Sequence, residues 1–523
     1  MKYKIAFMSL CIFYNATLLS FDEHTGQMFM FTRPISNSIS IHQAAWTDFA
    51  YEKHKLGSGI QVYPIYAQSF ENLTSPEYFL FDHKRELTIR GGDAPSVFTL
   101  YPTGYKAETP DQDHITTQSF NRDILGQWLN ENEVENSSYT FNPSQRQAGG
   151  VIEFNQDLKK FIDTSLLELW YVSVKLPITY VSNNIGFSGD AKALQALSNN
   201  NFQYINVSAC DISFTRPTNL QIMIGSKYLN ENELQIISSM GVIVPLVEQN
   251  SNRFLFEPIQ GFNSHFAFHS QMLLQFPLLR SDDLAHSSVC YFLSFENTFL
   301  ARNKQLRTYD LKGKPYSRYL KVLDIHKNEI VPAMNVLTLR SRVEPFNIFN
   351  GATGFRVKFD DHMGEIGYEL WAHGTEVVTV ENKFESDWQD DRYGIALINE
   401  DGVLSFIDPV DGVLKPIPAG QPGQTASNST INHVGTPDGL ISCCSPDGLI
   451  FTQKNKYITL EDLDILSAAA RSAITHRAYA TITLGQKGKH RDFFANLGLY
   501  IEASQNNAAL SMWGGWAKFG ITF

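Results

Sequence analysis

From residue 150 onward, apolar and polar positions alternate along the chain. Leu169 to Tyr180 sets Trp170, Val172, Val174, Leu176 and Ile178 on one side, against Tyr171, Ser173, Lys175 and Thr179. His265 to Phe276 sets Phe266, Phe268, Met272, Leu274 and Phe276 against His265, His269, Gln271 and Gln275. The same period recurs at Leu234–Val244, Leu337–Glu344, Phe355–Phe359, Glu365–His373, Arg477–Leu484 and Phe493–Glu502. Successive side chains of a strand point to opposite faces, so each run predicts a strand with one apolar and one polar face. The runs extend over about 10 residues, which suits a tilted strand crossing a hydrocarbon layer better than a soluble strand of 5 or 6. Pro177, Pro245 and Pro277 each fall late in such a run, as strand-end chemistry.

The last stretch, Ser511 to Phe523, alternates most cleanly. Trp513, Gly515, Ala517, Phe519, Ile521 and Phe523 fall on one face; Gly514, Trp516, Lys518, Gly520 and Thr522 fall on the other. In lipid no water satisfies a bare N–H or C=O, so a sheet crosses only by closing on itself, apolar outward and polar inward. A soluble sandwich has the same period with its faces exchanged, so periodicity alone does not separate the two. Strand length, loop asymmetry and the terminal Phe523 favour a closed antiparallel transmembrane β-barrel of about 14 strands, with a range of 12 to 16. Counted back from a periplasmic Phe523, the long irregular stretches near 71–149, 181–218 and 375–471 all fall outside, and the short turns at 229–233 and 360–364 fall inside. Strands are expected within the first stretch at Glu77–Phe81 and Val97–Tyr101, and a helix at Leu460–Ala470 behind a capping box of Thr459 and Asp462.

The N-terminus adds an export signal. Lys2 and Lys4 precede an apolar run from Ile5 to Tyr14, followed by the small residues Ala16, Thr17 and Ser20, the layout of a cleaved signal peptide over 1–20. Residues 21–56 do not alternate. Within them Ile39–Tyr51 is read as a short amphipathic helix, with Ile41, Ala45 and Phe49 at spacings of four. This segment is expected in the periplasm or as a plug in the lumen, and the barrel occupies 57–523. The formal net charge of -12 argues against nucleic acid as a partner. Charged residues make up 18% and aromatics 13%, as suits a wall that meets lipid and aromatic girdles at its interfaces. Five cysteines in 523 residues form no disulfide scaffold, and their spacing suggests no metal site.

If the sheet closes, the inward residues set what passes. Arg340, Arg342, Arg356 and Lys358 would form a basic strip, Glu365 and Glu369 an acidic one beside it, and Arg477 and Lys518 would face the same lumen. Opposed rings of charge favour small polar solutes. Ordinary lumen-filling ion pairs are the plainer reading of the same residues. His265, His269, Ser270, Asp360, Asp361, His362 and His476 are candidate catalytic groups by type; no nucleophile elbow, metalloprotease helix or phosphate loop accompanies them, so neither catalysis nor a cofactor is expected.

The segments Asp462–Tyr479 and Ile501–Phe523 resemble porin-like outer-membrane β-barrel proteins of intracellular Gram-negative bacteria such as the Dependentiae. In such barrels the terminal apolar alternation, here Phe519, Ile521 and Phe523, is read by the membrane-insertion machinery. The resemblance implies an outer-membrane location, with a lipopolysaccharide-bearing bilayer, the barrel-assembly machinery and small solutes as partners, and a possible homo-oligomer. The expected function is a porin-like passive channel for small solutes. A non-repetitive N-terminal segment before the strands is also similar in layout to FadL-type transporters of hydrophobic compounds, which predicts a greasy site around Trp46, Phe49 and Tyr51. A surface β-sandwich adhesin is the third reading.

Overall fold

The computed structural model describes residues 26–50, 58–70, 75–90 save two, 124–125, 137–158, 169–395 save short gaps, 397–398, 404–407, 414–416 and 458–523 save two. The expected signal peptide, Tyr51 and the expected strand Val97–Tyr101 lie outside the described residues.

Twelve strands form one closed antiparallel barrel. In chain order they are β1 (Gly59–Ser69), β2 (Ser144–Asp157), β3 (Trp170–Asn184), β4 (Asn219–Leu229), β5 (Gln235–Pro245) and β6 (Ala267–Ser281). The second half is β7 (Ser287–Leu300), β8 (Ile348–Phe359), β9 (His362–His373), β10 (Ala473–Lys487), β11 (Asp492–Ser504) and β12 (Met512–Thr522). Each strand pairs with its neighbours in sequence, and β1 closes the circle on β12 through Ile60 opposite Ile521 and Val62 opposite Phe519. The sheet is therefore a barrel and not a sandwich of two packed sheets. Twelve strands lie at the lower end of the expected range of 12 to 16, below the central count of about 14.

Two features explain the difference in count. The run Leu337–Glu344 is a strand, but it belongs to a separate three-stranded sheet with Asn303–Thr308 and Val377–Val380. A small sheet with one buried face has the same period as a barrel strand. The strand Ile212–Pro217 pairs only with the upper part of β3 and continues the line of β4 beyond the barrel. The break falls at Pro177, which has no N–H to give to that side of the ladder; its carbonyl accepts from Thr218 N. Pro277 sits at a register shift between β6 and β7, and Pro245 ends β5.

One end of the barrel has short connections, 230–234, 282–286, 360–361 and 488–491 among them. The other end has the long ones: 70–143, 185–218, 246–266, 301–347 and 374–472. Parts of 301–347, 374–395 and 458–470 form a cap with its own core, including Tyr309, Leu320, Val322, Leu337, Val343, Ile458 and Leu463. The expected strand Glu77–Phe81 holds a one-turn helix, Pro76–Phe79. The expected helix Leu460–Ala470 is two short 3-10 turns, although the Thr459–Asp462 capping box forms.

The outward face of the wall is apolar. Phe519, Phe355, Ile366, Ile482, Leu497, Leu499 and Ile501 are exposed there, Leu499 by 71%. Every acid on the twelve strands points the other way: Glu153, Asp157, Glu296, Glu365, Glu369, Asp492 and Glu502 are all buried inside. A large apolar side chain left in water forfeits on the order of 1.5 kcal/mol or more. A continuous belt of them far exceeds the patches that soluble monomers tolerate. The inner wall is fitted together by rings lying across glycines. Tyr479 covers Gly367, Trp516 covers Gly498, and Tyr500 covers Gly514, so a Cβ at any of these glycines would meet an atom of the aromatic side chain at 2.6 Å or less.

Gly498→Val drives a branched side chain into Trp516, whose Nε1 donates to Asn496. The expected cost is about 1–3 kcal/mol of overpacking. It is measured as a lower midpoint for loss of the heat-modifiable band on a detergent gel. An unchanged midpoint would show that the ring moves aside freely.

Candidate functional site: the occupied lumen

The segment 26–50 threads the barrel from the long-loop end to the short-turn end. Thr32 accepts from Gln145, near the long-loop end of β2. Three residues on, Ile35 N donates to Gln147 Oε1 at 2.9 Å. Seven further on, His42 Nε2 meets Glu153, lower on the same strand, at 2.9 Å. At the bottom, Trp46 and Phe49 pack on Phe494, two residues into β11. Two five-residue helices, α1 (Ile39–Gln43) and α2 (Trp46–Ala50), replace the single expected helix. The break is at Ala45, whose φ of 65 is incompatible with a right-handed helix.

Glu369 of β9 is the hub. Its carboxylate is fully buried and takes hydrogen bonds from Ser38 Oγ (3.0 Å), Ile39 N (3.1 Å), Ser40 N (3.3 Å) and Ser40 Oγ (2.6 Å). The two amides belong to the first turn of α1, which no intrahelical carbonyl can satisfy. Arg33 bridges Glu369 and Glu502 of β11, the latter at 3.2 Å. Arg477 of β10 completes the cluster, bonding Glu502 at 2.5 Å and Ser38 Oγ at 2.6 Å. Two guanidinium groups thus face two carboxylates, and one of the four comes from the segment. At the other end of α1, Lys518 of β12 donates to the carbonyls of His42 and Ala44, both at 2.8 Å. Below it, Asp48 pairs with Arg356 of β8 at 2.5 Å and with Lys358, while Arg356 also holds Glu365 at 2.5 Å.

The segment leaves little space. A cavity remains between Ser36, Asn37 and His42 of the segment and Lys175, His269 and Glu296 of the wall. About 20 Å³ of it is open to the centre of a water molecule, enough for one or two waters.

Above the barrel the cap grips the start of the segment. Gln27 N donates to Tyr78 O, Met28 N to Ser467 O, and Tyr78 Oη to Phe29 O. The Arg307 guanidinium lies 3.4 Å from the centre of the Phe29 ring and pairs with Glu376 at 3.0 Å. Burial pushes the Tyr78 phenol well above its ordinary value. Where the connection before β6 meets the cap, His265 Nδ1 donates to Ala301 O at 2.7 Å, and its Nε2 accepts from Gln305 Nε2 at 2.8 Å. Burial drives this imidazole down to about 4, against the Ala301 bond and with help from Arg307.

The structure brings six of the sequence-predicted site residues to the lumen: Arg356, Lys358, Glu365, Glu369, Arg477 and Lys518. They meet the segment and each other, not an open channel. Arg340 and Arg342 are corrected. Both are exposed on the outer sheet of the cap, because Leu337–Glu344 alternates about the cap's core and not about the barrel wall. Phe519 and Phe523 point outward and are exposed. The histidines considered for catalysis are dispersed: His269 bonds Thr298 in the lumen, while His476 sits beside Tyr368 on the outer face. Among the described residues no group of three or more His, Cys, Asp or Glu is placed to hold a metal. Sequence reasoning missed Arg33, Asp48, Glu153 and Glu502. An arginine and an aspartate in an otherwise uncharged stretch from Gly26 to Ala50 were the available signal.

Apolar outside, charged inside and closed on itself, the wall has the build of an outer-membrane barrel. Among solved structures the chain is similar to an outer membrane channel from Pseudomonas putida F1, with 11% identity and a TM-score of 0.36 over 90% of this chain and 98% of that one. It is also similar to the transport unit of the autotransporter AIDA-I from Escherichia coli, with 7% identity and a TM-score of 0.32 over 94% and 99%. Likeness at this level is too loose to build on, and the assignment rests on the wall itself. No protein-family model and no curated protein matches the chain.

Glu369→Gln leaves two guanidinium groups facing one carboxylate in a buried site. Breaking a buried pair in this way costs about 3–5 kcal/mol. Chymotrypsin is expected to cut the variant at Trp46 or Phe49 while sparing the wild type; equal resistance would remove Glu369 as the hub. His265 sets a pH limit on the cap. Its folded value of about 4 lies below the ordinary 6.5, so the opened form binds the proton first. Stability is full above pH 6.5 and falls as pH drops toward 4, by roughly 3 kcal/mol in all. Melting scans between pH 7.5 and 4.5 should show this slope, and His265→Asn should flatten it; an identical slope in the variant would assign the dependence elsewhere.

Proposed function

We propose that the protein is an outer-membrane transport barrel whose lumen is held shut by its own N-terminal segment. The observation that carries this is the pairing of inward wall charges with residues 26–50 along the height of the barrel, beside which the cavity at Ser36, His42 and Glu296 has room for a water or two. The long-loop end is the outer face and the short-turn end the periplasmic face, as in barrels of this kind. The lipid bilayer is the solvent of the outer wall, and Phe519, Ile521 and Phe523 are its insertion signal.

Passive, porin-like diffusion of small polar solutes then requires the segment to leave. Once it has gone, Arg356, Lys358 and Arg477 line the emptied lumen beside Glu365, Glu369 and Glu502 on the adjoining strands β8 to β11, and this charged wall biases passage toward polar solutes. A carrier of hydrophobic compounds finds less support. Trp46 and Phe49 do form an apolar site with Phe494, but the three rings fill it themselves.

Planar-bilayer recording separates a shut barrel from an open porin. The wild type is expected to stay closed with rare openings, and deletion of residues 26–50 to give steady conductance. A wild type that conducts continuously at the level of the deletion variant would overturn the reading.

A further inference from the structure

The direction in which segment 26–50 runs has a topological consequence. β1 starts at the short-turn end, where Gly59 pairs with Thr522, and Phe523 N donates to Ser58 O at the same level. Ala50 lies at that end as well, since Phe49 stacks on Phe494 and its ring reaches Gly485, at the foot of β10. Gly26 lies at the opposite end, among Phe79, Leu80 and the cap. The chain therefore crosses the full height of the barrel once before it builds the wall. An N-terminal stretch that was only a periplasmic stopper would enter and leave by the same mouth.

Beside the ion pairs of Arg33, His42 and Asp48, the wall makes contacts of a second kind to the segment. Gln147 takes the N–H of Ile35 and gives to the carbonyl of Arg33 at 3.0 Å, the two-bond pattern with which one strand holds another. Lys175 gives to Ser36 O at 3.0 Å. Glu369 takes the amides of Ile39 and Ser40, and Lys518 gives to the carbonyls of His42 and Ala44. Four wall side chains thus make seven hydrogen bonds to main-chain groups, which every polypeptide carries whatever its sequence. A lumen selected only for small solutes has no need to match main-chain donors and acceptors along a threaded chain.

We propose that the lumen is a polypeptide conduit, occupied in this structure by its own cargo, and that it presents the chain upstream of Gly26 at the outer face of the membrane. This rests on the orientation given under Proposed function, with the long-loop end outside. The exported chain begins on the periplasmic side, so its leading end has crossed the membrane within the barrel that follows it.

The test uses the full-length protein in intact Gram-negative cells, with Cys443 and Cys444 replaced by serine. An epitope is inserted between Asp22 and Glu23 and read with antibody. Cys210, free and exposed in the connection 185–218, reports the long-loop end to an impermeant maleimide. In a separate variant, also carrying Cys210→Ser, Asp360→Cys reports the short-turn end. Heat-modifiable migration confirms a folded barrel in each. The proposal expects the epitope and Cys210 to react on intact cells with no further gain on permeabilisation, and Asp360→Cys to react only after it. If Cys210 reacts on intact cells but the epitope appears only after permeabilisation, the conduit is overturned while the membrane orientation stands. If Asp360→Cys reacts on intact cells and Cys210 does not, the orientation fails and the proposal falls with it.

Discussion

A carboxylate cannot be taken out of water without an answer, and Glu369 is the place where this barrel meets that constraint. Isolated in a medium of low dielectric, an ion loses several kcal/mol even after the protein relaxes around it. Glu369 is wholly buried, yet it accepts two hydroxyls, two amides and a guanidinium, four of them given by residues 38–40 and one by Arg33. All five come from the threaded segment. At this position the wall is incomplete without its occupant, because the strands themselves bring Glu369 only the Arg477 guanidinium, at 3.7 Å. The same holds at Lys518, which donates to two carbonyls of the segment, those of His42 and Ala44.

The wall was legible because lipid and lumen impose opposite demands on alternate residues. Parity set Phe355, Ile366 and Leu499 on one face of their strands and Arg356, Glu365, Glu369, Arg477 and Lys518 on the other; strand length and loop asymmetry turned the first set outward and the second inward, and their burial agrees. Arg340 and Arg342 were misplaced for the same reason that the others were placed well. Period two reports a sheet with one dry face and says nothing about which core dries it. In the cap that core is Val343, Leu337 and their neighbours, and it is built from segments more than a hundred residues apart, such as Val343 and Ile458.

The occupant of the lumen was only half legible. Residues 21–56 stood out by their lack of alternation, and a place inside the barrel was one of two expectations. A segment surrounded on all sides has no solvent face to set a period. Its partners are remote as well: Arg33 meets Glu369 across 336 positions of sequence and Glu502 across 469. No local pattern encodes such a pairing. The cap adds a barrier in series, since Arg307 stacks on Phe29 just before the segment descends and Ser467 holds Met28.

The covalent link between occupant and wall is short. From Ala50 to Gly59 there are nine peptide steps, a reach of roughly 30 Å at full extension. An expelled segment would thus remain within a barrel's height of its seat, at an effective concentration in the millimolar range. Reclosure is then a first-order event, indifferent to how much protein the membrane holds. Each molecule carries its own lumen-filling segment in fixed stoichiometry, and no dilution can separate the two.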